Sequence, residues 1–256
     1  MIPWEHLATA AIPGEGIPGE GHSLKLMRRG DEYSIMIGGN ELMNSRRGGS
    51  EEAMARLAAD RIGGRRRARV LIGGLGLGFT LRAALQAFGA DAIIENAELV
   101  PEVVDWARGP LAPVFGDCLA DLRVTIIVDD IVAVIARATG SYDAILLDVD
   151  NGPTGLTRPE NDRLYGTHGL AAIHRALKPR GVLIVWSASP DQRFTPMLRR
   201  NGFEADSVIA RDHGKRGIRH TLWVATRRDG GRPATPAAAA PRPWARAGSP
   251  KRRPPR

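Results

Sequence analysis

Four groups of residues in this chain have the types and spacing to do chemistry. The first is Gly74-Leu75-Gly76-Leu77-Gly78, between the apolar run Val70–Ile72 and a helical pattern that begins at Thr80. Glycines in such a loop allow positive φ and close approach of a ligand to the backbone. The free N–H groups of the following helix point back at the loop. The other three groups are acids: Glu98, then Asp129 with Asp130, then Asp148 with Asp150. Each follows an apolar run of strand length. In an open α/β sheet the ligand lies beyond the carboxyl ends of the strands. The glycine loop and the acids therefore read as one site at one rim.

The glycine spacing selects among nucleotides. A dinucleotide fingerprint, G-x-G-x-x-G, would place its third glycine at position 79. That position is Phe79, and the third glycine stands one residue early, at Gly78. The G-x-G-x-G form points to a ligand of the S-adenosylmethionine type, which brings no pyrophosphate. A purely steric strand-to-helix turn would use the same glycines. Glu98 lies twenty residues past Gly78 and could accept both hydroxyls of a ribose diol; Glu95 is a nearby competitor. Asp130 precedes Ile131 and reads either as a helix cap or as acceptor for an adenine amino group. Asp148 and Asp150 are two apart in an extended segment, so they face the same side. Two close carboxylates repel unless a cation lies between them. No His or Cys is near in sequence, and two acids make a thin metal site, so no metal is expected. A protonated amine or a sulfonium donor supplies the cation instead. Asp148 could also simply turn the chain ahead of Gly152-Pro153.

The elements that must position these residues alternate. Strands are expected at Val70–Ile72, Ala92–Leu99, Val124–Val128, Ala144–Leu147, Val182–Trp186, Phe203–Ile209 and His220–Ala225. Helices are expected at Thr80–Phe88, Pro101–Arg108, Ile131–Ala138, Gly169–Leu177 and Phe194–Asn201. Alternation of this kind argues for an α/β fold with a doubly wound, mostly parallel, seven-stranded sheet. The last two strands have no crossover helix between them and should pair antiparallel, leaving one antiparallel strand at the end of the sheet. Residues 23–45 alternate around turns at Arg29–Asp31 and Gly38–Asn40, and read as a small antiparallel β meander of three short strands. Ser50, followed by Glu51 and Glu52, reads as a capping hydroxyl with acids in the first helical turn. The cluster Arg65–Arg67 reads as a solvated charge run.

The chain has 256 residues, 43% of them hydrophobic, enough for one large core. Its net charge of +8 is unevenly spread. Nine basic residues and one acid lie from Arg227 onward, so residues 1–226 carry 27 of each sign. The basicity belongs to a Pro/Ala/Arg tail that is expected to be disordered. That tail reads as a solvated extension; it is also the one segment with the charge to touch nucleic acid. Three regions result: 1–48, a Pro/Gly-punctuated lead-in and meander; 49–226, the α/β domain; and 227–256, the tail. Cys118 is the only cysteine, which fits a reducing compartment. The N-terminus lacks the pattern of a secretory leader, and no apolar run approaches the roughly 20 residues that span a bilayer. A cytoplasmic protein without membrane contact is the expectation.

Taken together, VLIGGLGLGFTLRAAL, AELVPEVVDWAR, YDAILLDVDNGP, NDRLYGTHGLAAIHRALKPRGVLIVWSA and RHTLWVA resemble the polyamine aminopropyltransferases, the spermidine synthase group. The likeness covers about residues 23–226 and looks most like its short members. It implies a fold of the class I methyltransferase type, a Rossmann variant, and a homodimer. It implies decarboxylated S-adenosylmethionine as co-substrate with no tightly bound cofactor, a diamine such as putrescine as acceptor, and methylthioadenosine as by-product. By position, Gly74, Gly76 and Gly78 match the donor-binding loop, Glu98 the ribose-binding acid and Asp130 the aspartate near adenine. Asp148 matches the first aspartate of the family's D-x-x-D-P loop, the proposed base, with Asp150 or Asn151 orienting the amine. The chain departs from the family at three places. Leu77 stands where the family has an aspartate that holds the donor's primary amine. The second loop aspartate falls at Asn151. The Tyr-His-Glu signature is replaced by Gly49-Ser50-Glu51-Glu52. A methyltransferase using intact S-adenosylmethionine, and a non-catalytic adenosyl-ligand-binding protein, are therefore alternatives. His168, His174 and His220 show no ligand spacing and are assigned to packing or surface.

Overall fold

Val70, Leu71 and Ile72 are fully buried in the middle of a seven-stranded sheet. The computed structural model describes residues 2–13, 23–149, 161–212 and 217–229. The central strand, β5 (Arg69–Gly73), follows four strands of a separate small sheet: β1 (Glu5–Ala11), β2 (Ser23–Arg29), β3 (Glu32–Ile37) and β4 (Asn40–Asn44). After it come β6 (Ile93–Glu98), β7 (Val124–Val128), β8 (Tyr142–Leu147), β9 (Leu177–Ser187), β10 (Phe203–Arg211) and β11 (Arg219–Arg227). The large sheet runs β10-β11-β9-β8-β5-β6-β7, parallel from β9 to β7.

Side chains alternate across this sheet. Val70 and Ile72 of β5, with Ala144 and Leu146 of β8, enter one core. Leu71, Ile145 and Leu147 enter the other. A strand covered on both faces reads as a continuous apolar run, which is why β5 and β8 were legible. One core takes in α1 (Gly49–Ile62), α2 (Phe79–Ala87) and α3 (Pro101–Arg108). The other takes in α5 (Ile131–Arg137), α7 (Thr167–Ala176) and α8 (Phe194–Arg200). The short helices α4 (Ala112–Phe115) and α6 (Asn161–Tyr165) were not expected from the pattern. Among the described residues no helix is long and apolar enough to cross a membrane.

Three expectations change. β11 is antiparallel to both neighbours and lies between β9 and β10 rather than at the sheet's end. The small sheet has four strands, not three, because Glu5–Ala11 pairs with β2. That segment has few β-branched residues, so pairing to a neighbour, not local propensity, makes it a strand. Ser50 makes no cap: the N-cap of α1 is Gly48, and the Ser50 side chain is used elsewhere. The tail beyond Asp229 lies outside the described residues.

The strand order reverses at β5, with β8 on one side and β6 on the other. The carboxyl ends there form the crevice that binds ligands in open α/β sheets. The small sheet packs over it: Ile12, Leu24, Ile35 and Ile37 belong to the same core as Val70 and Ile72.

Candidate active site

The glycine loop leaves β5 and lines a cavity under the small sheet. Gly74 has φ +84° and its N–H donates to the Ala97 carbonyl at 2.9 Å. Gly76 has φ +49°, which favours glycine, and a side chain there would begin 2.4 Å from the Met43 sulfur, so the end of the Met43 side chain would have to move. Gly74 and Gly76 are on the cavity wall. Gly78 is not. It is the left-handed N-cap of α2, and a Cβ there would strike the Phe115 ring at 2.5 Å. Its glycine is required by the turn.

Glu98 ends β6 and is 8% exposed. Its Oε2 accepts the Leu75 N–H at 2.8 Å and its Oε1 accepts the Val100 N–H at 2.9 Å. The carboxylate ties the glycine loop to the end of the neighbouring strand. The Gly76 and Leu99 N–H groups also act on the carboxylate, and the residue lines the cavity. Burial pushes its carboxyl above the usual range, opposed by the N–H groups it accepts from. Glu95, the competitor, is taken up by Arg69 at 2.6 Å and Tyr142 at 2.7 Å. Asp130 caps α5, accepting the Val132 N–H at 2.8 Å, and also lines the cavity. Asp129 beside it pairs with Arg137 at 2.6 Å. Leu77 is 1% exposed and packs into the core, on the wall of neither cavity described here.

Asp148 follows β8 at the far end of this cavity. Its N–H donates to the Gly73 carbonyl at 3.2 Å, and its Oδ2 accepts from the Thr80 hydroxyl at 3.0 Å. Burial first, and the Glu51 carboxylate second, push the Asp148 carboxyl up to about 7; the Thr80 hydroxyl works the other way. Asp150 and Asn151 lie outside the described residues.

A second cavity opens beyond Asp148. Among the described residues its walls carry Glu41, Glu51, Asp148 and Asp212, with one cation, Arg47. Trp186 and His220 stack on one another at 4.7 Å and form its aromatic side. Asp212 is 6% exposed, its Oδ1 has no hydrogen-bond partner among the described residues, and its Oδ2 lies 4.0 Å from Arg47 Nε. Leu42, Met43 and Asp148 line both cavities. The structure therefore brings Gly74, Gly76, Glu98, Asp130 and Asp148 together, and adds Glu41, Glu51 and Asp212, which sequence reasoning missed. Glu51 reads in sequence as a dipole acid of a first turn. His220 reads as packing, yet it stands on the acidic wall. Among the described residues, no group of three or more His, Cys, Asp or Glu is arranged to hold a metal ion.

Chemically, an apolar cavity with carboxylates at strand ends meets an acidic cavity, and a carboxyl poised near neutrality stands where they join. A cationic molecule in each cavity would face the other past Asp148.

Comparison with known proteins bears on this arrangement. No protein-family model matches the chain. The sequence is 33% identical over 124 residues to a polyamine aminopropyltransferase of Mycobacterium tuberculosis; the match takes in 47% of this chain and 23% of that protein. It is 35% identical over 130 residues to a polyamine aminopropyltransferase of Corynebacterium efficiens, with 48% and 23% covered. The chain thus spans less than a quarter of the length of the curated relatives it matches. Among solved structures, a spermidine synthase from Thermotoga maritima superposes with a TM-score of 0.66 at 16% identity, covering 86% of this chain and 72% of that one. A spermidine synthase in complex with the transition-state analogue AdoDATO gives the same values. A probable spermidine synthase from Corynebacterium glutamicum gives a TM-score of 0.56 at 20% identity, covering 82% and 78%. The fold is that of the spermidine synthases, and the sequence resemblance to polyamine aminopropyltransferases is supported.

Proposed function

We propose that this chain is a transferase that moves an aminopropyl group from decarboxylated S-adenosylmethionine to an amine acceptor such as putrescine. One observation carries the reading: an apolar cavity behind the glycine loop and an acidic cavity share a single carboxyl, Asp148, at their junction. The named relatives agree with it.

In this reading the adenosyl group occupies the apolar cavity, with Glu98 on the ribose hydroxyls and Asp130 toward the adenine. The acceptor occupies the acidic cavity. An amine must be neutral to attack, while water keeps it protonated. Asp148 holds the ammonium and takes its proton as the new carbon–nitrogen bond forms and the carbon–sulfur bond breaks, leaving methylthioadenosine. A base works best when its pKa lies near the operating pH, and burial has raised Asp148 into that range. Alignment of nitrogen, carbon and sulfur past Asp148 supplies much of the remaining rate. Asp150 or Asn151 is assigned to orienting the acceptor amine.

Leu77 favours a second reading. The glycine loop offers no carboxylate to a donor amine, because Leu77 is buried in the core. A methyltransferase using intact S-adenosylmethionine needs none. One experiment decides between them: incubate the protein with each donor and a panel of amines, and identify products by mass spectrometry. Methylthioadenosine from the decarboxylated donor is expected. S-adenosylhomocysteine from the intact donor would replace this reading with the second.

A further inference from the structure

The start of α1 places Glu51 by an indirect route. Gly49 accepts no side chain, since a Cβ there would lie 2.6 Å from the Asp212 carbonyl oxygen, to which its N–H donates at 3.1 Å. The helix start and the end of β10 are therefore pinned together. Ser50, next in line, is fully buried. Trp186 Nε1 lies 3.0 Å from its hydroxyl oxygen and can only donate. The Ser50 hydrogen is left to go to Glu51 Oε2, 2.5 Å away. A relay from Trp186 through Ser50 thus fixes one carboxylate oxygen of Glu51 and spends the capping hydroxyl to do so.

Glu51 is fixed on the wall of the acidic cavity, where Asp148 also stands. The charged and titratable groups around it come from every element that meets there. Among the described residues they are Asp148 after β8, Asp212 after β10, Glu41 on β4, His220 on β11, Glu52 on α1, and Arg47 before α1. A separate observation shows what is missing. Asp212 is more than nine-tenths buried on this wall, and among the described residues its Oδ1 meets no donor. A buried acceptor without a partner is costly, and like charges facing one another are too. A ligand ammonium, with three donors and a positive charge, would relieve both.

We propose that Glu51, set in place by Ser50 and Trp186, is a further functional residue of this cavity: with Asp148 it forms an anionic pair that the ammonium of the bound acceptor neutralises. This rests on the assignment of the acidic cavity to the acceptor. Burial raises the Glu51 carboxyl, with Asp212 and Glu52 adding to the rise and the Ser50 hydroxyl working the other way; a bound ammonium favours its charged form, and its work is to hold that cation and to set the charge environment of Asp148. The direction of the coupling is already visible, since Glu51 is among the causes that raise Asp148.

The test titrates 1,4-diaminobutane by calorimetry into the wild-type protein, Glu51→Gln and Ser50→Ala, and records the pH profile of kcat/KM for each. Glu51→Gln keeps the shape and removes the charge. It should weaken diamine binding roughly tenfold or more and leave the affinity for S-adenosylmethionine-type donors unchanged. It should also move the acidic limb of the pH profile to lower pH, because Asp148 loses a like-charged neighbour. Ser50→Ala keeps the charge but frees its orientation, and should fall between. Melting curves establish that each variant is folded. Diamine affinity and an acidic limb both unchanged in Glu51→Gln would overturn the proposal, as would a wild-type protein that does not bind the diamine. If no methylthioadenosine forms but Glu51→Gln still loses the diamine, the aminopropyl reading fails and this inference stands. If methylthioadenosine forms with wild-type efficiency in Glu51→Gln, the inference alone fails.

Discussion

The two cavities that meet at Asp148 are built in opposite ways. The first takes its chemistry from residues directly after consecutive parallel strands: the glycine loop after β5, Glu98 at the end of β6, Asp130 after β7, Asp148 after β8. The second draws on β4, α1, β9, β11 and the end of β10, with no two of its acids in one motif. A ligand rim set by a repeated strand–helix unit recurs at each strand end. A cavity assembled from unrelated segments is set only by how those segments pack. This difference predicts that substitutions in the first cavity will disturb donor binding, that those in the second will disturb amine binding, and that Asp148, the carboxyl at their junction, will register in turnover.

The largest effect is expected at that shared residue. Asp148→Asn keeps the Thr80 contact available but cannot take a proton, and should lower kcat by about 10²–10⁴ while donor binding persists. Single-turnover kinetics with calorimetry of the donor checks it; unchanged turnover removes Asp148 from the chemistry. Next comes the closeness of β4 to the loop. Gly76 has φ +49° and would press a Cβ onto Met43. Gly76→Ala should cost about 1–3 kcal/mol of stability and weaken donor binding. Adding Met43→Ala should recover the steric part of that loss, leaving the backbone part. Equal melting temperatures for the single and double variants would show that Met43 does not press on the loop.

A smaller loss is expected for Glu98→Gln. The amide keeps one acceptor oxygen for two backbone N–H groups, so one loop anchor turns into a donor facing a donor. Donor affinity should drop roughly tenfold, with diamine affinity unaffected. A variant that loses both ligands alike would break the division between the cavities.

A last effect is on stability against pH. The folded-state pKa of Asp148 is raised to about 7 from the ordinary value near 3.8. A carboxyl raised on folding binds more protons in the folded state, so its stabilising contribution is complete below the unfolded pKa and fades as pH climbs through the folded one. The unliganded protein should therefore melt at progressively lower temperature between about pH 4 and pH 7. Asp148→Asn should flatten that slope and melt higher at pH 8. A functional site that costs stability behaves this way. A parallel slope in both proteins would assign the pH dependence to other groups.

Much of the fold was legible for a reason particular residues make plain. Val70–Ile72 and Ala144–Leu147 are apolar without interruption because sheet covers neither face with water. Pro101 opens α3 at the position where proline suits a helix start. Glu5–Ala11 was not legible, because nothing in EHLATAA prefers a strand until β2 offers it a partner. The position of β11 between β9 and β10 was not legible either: antiparallel pairing of the last two strands follows from their missing crossover, but which of them takes the edge does not. In the site, Gly78 carried the same glycine signal as Gly74 and Gly76, yet it answers to the Phe115 ring. Ser50 had the signature of a cap and became a relay to Glu51, because burial against Trp186 gave its hydroxyl a different partner.

By itself the sequence determined the parallel sheet, the rim on which its acids stand, and the glycine loop after β5, since these follow from periodicity and from residues adjacent to strand ends. Tertiary structure alone decided that Glu41, Glu51 and Asp212 face Asp148 across one cavity. The physical reason is that charge acts through space. Carboxylates distant along the chain raise one another's pKa and call for a cation only once packing has brought them together and water has been taken away.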